Sequence, residues 1–133
     1  MHGWDIDRVT AVAETARADT VAGESTGGRT GPQLVAEIFA GSTLTLARRD
    51  ARVADTARAY AEAEMLRRAR GFVTVDGITA GTPDLVPGAF LELQRVGRSF
   101  EGDGYRVVHA HHSYDRVTGY RTAFRAERPE VRS

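Results

Sequence analysis

Apolar and polar residues alternate with a period of two along much of the last third of the chain, which predicts strands separated by turns. Ala89 to Val96 reads as one strand, with Leu91, Leu93 and Val96 alternating and Phe90 apart from them. Tyr105 to Tyr114 reads as a second, with Tyr105, Val107, His109, His111 and Ser113 expected on one face. Arg106, Val108, Ala110, His112 and Tyr114 are expected on the other. A turn at Asp115 to Gly119 returns the chain through Tyr120 to Arg125, where Tyr120, Thr122, Phe124 and Ala126 share a face. Hairpin-length turns make these strands antiparallel. Before them lies Gly81-Thr82-Pro83-Asp84-Leu85-Val86-Pro87-Gly88, a stiff loop in which proline fixes φ and glycine admits angles closed to other residues.

Upstream the period changes. The clearest helix runs from about Ala51 or Thr56 to Arg70, with Asp50 and Asp55 as candidate N-caps and Gly71 placed to end it. Its small alanines suit close packing against a sheet, and Arg67, Arg68 and Arg70 suit the negative end of its dipole. Phe72, Val73, Val75 and Ile78 then start a strand. Gln33 to Phe39 predicts a short helix, and Ser42 to Arg48 alternates like a strand. Trp4 to Ala13 is ambiguous between the two periods. Residues 18–32 are rich in Gly, Thr and Ser and predict a flexible loop, since they offer little apolar surface to offset ordering. The expectation is a single α+β domain over residues 1–133. About five mostly antiparallel strands would form a sheet or barrel with one packed helix.

Composition narrows the function classes. With 18 basic and 18 acidic residues the formal charge is zero, so no field favours nucleic acid or an anionic membrane. Every basic residue other than histidine is arginine, which a GC-rich genome explains. Cysteine is absent, removing disulfides, thiolate metal sites and thiol catalysis together. No apolar run approaches the roughly 20 residues that cross a bilayer, and the first residues do not read as a secretory signal. A cytoplasmic location without membrane insertion is the expectation.

Candidate chemistry is sparse. His109 and His111, at i and i+2 on a strand, would lie about 7 Å apart on one face, with Asp115 the nearest carboxylate for a zinc site. Histidines bonded locally or lining a wet surface are the more economical reading. Glu62 and Glu64, Glu101 and Asp103, and Asp5 and Asp7 are carboxylate pairs without the apolar pocket that raises a catalytic acid. Gly97 to Gly104 resembles a phosphate loop only superficially, because a strand follows it and not a helix. Ser42, Ser99 and Ser113 lack the context of a nucleophile elbow. No enzyme activity, catalytic residue or cofactor is expected.

The order of landmarks carries a resemblance. Gly81-x-Pro83-x-Leu85-x-Pro87-Gly88 is followed by Gly104-Tyr105-x-Val107, His112-x-Tyr114, Gly119-Tyr120-x-Thr122-x-Phe124 and Arg128, while Gly3-Trp4-Asp5 lies far upstream. This order resembles the phage late-control protein D family, which includes the hub part of VgrG-like spike proteins. The resemblance covers the C-terminal part of the hub region, with Trp4, Asp5, Gly81, Pro83, Pro87, Gly88, Gly104, Tyr105, His112, Tyr114, Gly119, Tyr120, Thr122 and Phe124 as structural motif positions. It implies a tail-tube-like hub domain and a structural role in the baseplate of a contractile phage tail or phage-like injection system. It implies hub, tube and spike subunits as partners, in a homotrimer or with a complementary hub fragment, and a place in an assembled particle. Family hubs carry a tube domain before the Gly-Trp-Asp landmark, so the implied form is a split or truncated hub, a degenerate relict or a separately encoded subunit. The alternative reading is a small β-rich ligand-binding or metal-binding domain using His109 and His111.

Overall fold

The structure is a computed structural model, and it describes residues 1–5, 10–39, 43–47 and 53–132. Two short strands, β1 (His2–Asp5) and β2 (Thr10–Ala13), pair antiparallel. A 3-10 helix spans Ala18–Glu24, and β3 (Arg29–Thr30) leads into α1 (Gly31–Ile38). After α2 (Ala54–Arg70) come β4 (Val73–Ala80), β5 (Phe90–Leu93), β6 (Gly102–Asp115), β7 (Gly119–Arg128) and β8 (Glu130–Val131). The large sheet has the order β4-β7-β6-β5, and all its neighbours are antiparallel. A three-strand meander with the preceding strand laid beside its last member is a Greek key.

The mixed, mostly antiparallel architecture agrees with expectation, but among the described residues the large sheet is open and no barrel closes. Eight strands in three sheets and three helices are found among the described residues, where about five strands and one helix were expected. The open order has a local cause. β4 and β5 are the two edges, so the stiff loop 81–89 must carry the chain across β7 and β6. It lays Leu85 and Ala89 on the sheet's inner face, with Gly88 donating to the Val107 carbonyl and Val107 to that of Ala89.

There are two cores. On the inner face of the large sheet Tyr105, Val107 and Ala126 are buried, flanked by Val73, Val75, Leu85, Leu91, Leu93 and Phe124. The second core joins Met1 and Val12 to Ala57 and Ala61 of α2, with Leu46 and Tyr60 against them. The alanine face of α2 therefore packs on the small β1–β2 hairpin and not on the large sheet. Its N-cap is Val53, without a side-chain bond; Asp55 sits in the first turn, and Asp50 lies outside the described residues.

Three further expectations change. The flexible loop expected over 18–32 instead carries the 3-10 helix, β3 and the first residues of α1. Val21 is completely buried there, so one valine anchors a segment whose composition looked too polar to fold. Residues 43–46 form no strand, and only Ala47 bridges to His2; Ser42 and Arg48 lie outside the described residues. Alternation needs a partner strand to become structure. Lastly, the register of β6 on β7 shifts between Val107 and His109. One extra residue reverses the alternation beyond it. His109 and His111 therefore leave the Tyr105–Val107 face, while Ala110 and His112 join it opposite Phe124 and Thr122.

Candidate functional site

Five of the motif residues, Gly81, His112, Tyr120, Thr122 and Phe124, gather where the crossover loop leaves β4 and meets the β6–β7 hairpin. Gly81 donates its amide to the Tyr120 carbonyl at 2.9 Å, and the Tyr120 ring lies where a Gly81 side chain would be. Only glycine permits that approach. Thr82 donates its amide to the Thr122 hydroxyl oxygen at 3.2 Å, and Thr122 is fully buried. The Thr122 hydroxyl lies 3.0 Å from His112 Nδ1, and the Tyr120 hydroxyl lies 3.0 Å from the same nitrogen. Thr82, Thr122, His112 and Tyr120 thus form one chain of polar contacts tying the loop to both strands of the hairpin. Phe124 extends the ring contacts down the strand, its Cζ lying 2.6 Å from where a Gly77 side chain would begin.

Of the other motif residues, most shape turns or remain at the surface, while Asp5 and Tyr105 are buried elsewhere. Gly88, Gly104 and Gly119 have φ of 96°, 85° and 73°, the left-handed region that glycine enters without strain. Pro83 and Pro87 stiffen the crossover, Asp5 is buried at the end of β1, and Trp4 is 51 % exposed. Tyr114 is 76 % exposed near the tip of the hairpin.

Tyr105 belongs to a second constellation, with Arg128, the last landmark of the resemblance, and the glycine-rich turn that precedes β6. The Arg128 side chain is fully buried and stands over the Tyr105 ring, its Cζ 4.4 Å from the centroid. Among the described residues its hydrogen bonds all go to backbone carbonyls. Nε donates to Glu130 at 3.0 Å, one terminal nitrogen to Glu101 and Asp103 at 3.1 and 3.3 Å, and the other to Ser99 at 2.9 Å. Tyr105 adds a hydroxyl bond to the Phe100 carbonyl at 2.8 Å. The glycine-rich turn is therefore wrapped around a guanidinium, a fork suited to several acceptors at once.

Glu130, also buried, performs the reciprocal task for the segment before β3. Its carboxylate accepts from the Ser25 and Thr26 hydroxyls and from the Thr26 and Gly28 amides. Burial alone pushes this carboxyl up, but those donors overcome it and hold the group below its ordinary value. Its only forewarning in the sequence is an acidic residue two positions beyond an arginine, a spacing common on any surface.

The two histidines of the candidate metal site occupy the outward face. His109 and His111 stand opposite Arg125 and Ala123 and are exposed. Asp115 is turned to other work: its carboxylate accepts from the amides of Val117 and Thr118 and from the Thr118 hydroxyl, which lowers its pKa. Among the described residues no three histidine, cysteine, aspartate or glutamate side chains come together as a metal cluster.

Other displaced carboxylates are also displaced downward. Glu24 is held by Arg70, Asp76 by Arg125, and Glu64 falls to about 2 beside Arg67 and Arg68. None of these is a carboxyl kept protonated near neutral pH, as glycoside hydrolysis requires of its acid.

One cleft, of about 650 Å³, opens between α1, α2 and residues 43–46. Val35, Phe39, Leu44, Met65 and Phe72 line it, with Arg17 at its margin. Its lining is mostly apolar, with Glu64 and Arg68 also present, and includes none of the histidines. No helix among the described residues is long and apolar enough to cross a membrane.

Comparison with known proteins returned no match to any family model, curated protein or solved structure.

Proposed function

We propose that the chain is a structural component of the baseplate hub or spike adaptor in a contractile phage tail or phage-like injection system. The observation that supports this reading is an open sheet whose edge strands, among the described residues, pair with no further strand, and whose outward face carries exposed apolar side chains. Ile78 is 75 % exposed there and Phe90 72 %. A wall built from several subunits has this form before its neighbours arrive, because edges and apolar patches are what an assembly covers. The tail-tube-like barrel implied by the resemblance would then be completed by strands from neighbouring hub, tube or spike subunits. The motif residues serve this role as architecture: they lock a crossover and a hairpin and attach no reactive group to either.

The test is co-expression with the products of neighbouring sheath, tube and baseplate genes, followed by affinity purification and electron microscopy. Retention of the chain in a ring or plug beneath the tube is the expected result. A chain that ignores every baseplate component, yet binds a small molecule in the α1–α2 cleft, would overturn the reading. That outcome would favour the ligand-binding alternative, with the cleft and not the histidines as its site.

A further inference from the structure

We propose that the outer edge of β4 is a self-association site, at which a second copy adds its own β4 antiparallel with Ile78 against Ile78. The backbone supplies the first part of the case. Gly81 donates to the Tyr120 carbonyl, and Gly81 continues the register that pairs Val73 with Arg128. In an antiparallel ladder, residues bonded to one neighbour alternate with residues bonded to the other side. The amides and carbonyls of Val73, Val75, Gly77 and Thr79 therefore face β7, and those of Thr74, Asp76, Ile78 and Ala80 face outward. Of this outward set the Ala80 carbonyl accepts from the Thr82 hydroxyl at 3.0 Å.

The two edges of the sheet differ in how they are guarded. β5 has four residues and an irregular register, and a proline-containing loop precedes it. Short strands, bulges and prolines discourage edge pairing. β4 has eight residues in unbroken register with β7, no proline, and a single charge. That charge, Asp76, is drawn back onto its own sheet by Arg125, with Nε 2.8 Å from the carboxylate. The edge is long, regular and unprotected.

Register then selects the occupant. Two copies related by a twofold axis must pair residues of the same parity, because opposite residues share a face. Centring the axis on residue 76 places Asp76 against Asp76, and like charges directly opposite are destabilising. Centring it on residue 77 places each Ile78 against the other copy's Asp76 and strips water from the Asp76–Arg125 pairs. Centring it on residue 78 places Ile78 against Ile78 and Asp76 against Ala80, leaving both ion pairs wet. Because Ile78 has its backbone groups outward, this central pair exchanges two hydrogen bonds. The side chain that is 75 % exposed in one copy gains an identical apolar neighbour. The arrangement is self-complementary and closes at two copies, giving one sheet of eight strands.

This inference does not rest on the hub reading, and its failure would leave co-assembly with baseplate subunits untouched. The chain contains no cysteine, so single cysteines report the register directly. Sedimentation velocity of the full chain over rising concentration should show conversion from monomer to dimer. Ile78→Lys should abolish the dimer while leaving the far-ultraviolet spectrum unchanged, with a melting temperature equal to that of the wild type at concentrations where it is monomeric. Under mild oxidation Ile78→Cys should cross-link to dimer, and Asp76→Cys should not, since only residue 78 faces itself at a distance a disulfide can bridge. A wild-type chain that stays monomeric throughout, a dimer that persists in Ile78→Lys, or cross-linking of Asp76→Cys as efficient as Ile78→Cys would each overturn the proposal.

Discussion

Replacing Arg128 by lysine keeps the positive charge but removes the fork that reaches four carbonyls. The wild-type guanidinium bonds to Ser99, Glu101, Asp103 and Glu130 from a fully buried position and stands 4.4 Å from the Tyr105 centroid. Burying such a charge costs several kcal/mol, which only a complete set of acceptors offsets. Hydrogen bonds to a charged group contribute about 1.5–3 kcal/mol each. A compact ammonium without the fork satisfies about half of them and keeps its own desolvation cost. Truncation of a buried charge network typically costs about 3–5 kcal/mol, and Arg128→Lys should fall within or just below that range. With a urea m-value of about 2 kcal/mol/M for a domain of this size, the midpoint should drop by roughly 1.5–2.5 M without a change in slope. Arg128→Met is the companion variant, because an apolar replacement of a buried charge is sometimes neutral. Here it should also destabilise, since it leaves the carbonyls of the 99–103 turn without their donors. Amide exchange at Phe100 and Glu101 should accelerate in both variants more than exchange in β4. If both variants unfold within about 1 kcal/mol of wild type, the guanidinium does not hold the turn and this reasoning fails.

The remaining predictions concern single contacts. Glu130 has a folded pKa below its unfolded value, so its contribution is complete above the ordinary carboxylate range and is lost as pH falls through the folded value. Glu130→Gln should therefore flatten the acid limb of the stability profile and speed exchange of the Thr26 and Gly28 amides. An acid limb identical to wild type would contradict that. Gly81→Ala drives a methyl group into the Tyr120 ring and should cost about 1–3 kcal/mol, part of it recovered by Tyr120→Ala in the double mutant; strict additivity in denaturant titrations would argue against the contact. His109→Gln with His111→Gln should leave thermal stability insensitive to chelator, whereas stoichiometric zinc in the purified wild-type chain would revive the metal reading.

The parts of the fold legible in the sequence are those whose cause is local. The alanine-rich α2, the Asp115–Gly119 turn and the stiff loop from Gly81 to Gly88 each rest on propensities within a few residues. The faces of β6 were legible only up to Val107. Val107 and Val108 are equally suited to a strand, so nothing in the run Val-Val-His-Ala marks where an extra residue enters the ladder. That unmarked residue decides the fate of all three histidines: it turns His109 and His111 outward and brings His112 to Thr122 and Tyr120. A metal site inferred from i and i+2 spacing could survive the bulge, but the face it was expected to share with Tyr105 and Val107 could not.

Arg128 and Glu130 were hidden for a different reason. Charged residues near a chain's end read as solvated because burying them is costly, and the cost is offset only by partners far away in sequence. Arg128 finds the carbonyls of a turn 25 to 29 residues earlier, and Glu130 finds donors 102 to 105 residues earlier. Each partner set consists of glycine-rich or hydroxyl-rich backbone that has little apolar surface of its own. The same lack that made residues 18–32 look like a loop makes their amides and hydroxyls available to Glu130. The glycines that made residues 97–104 look like an idle turn let its carbonyls converge on Arg128. Polar segments with no core of their own are thus ordered from the far end of the chain by two buried ions. One of those segments reaches the large sheet from outside, where Glu24 and Arg70 lie beside Phe90, Arg106 and Glu127, while Ile78 of β4 stays exposed at the opposite edge.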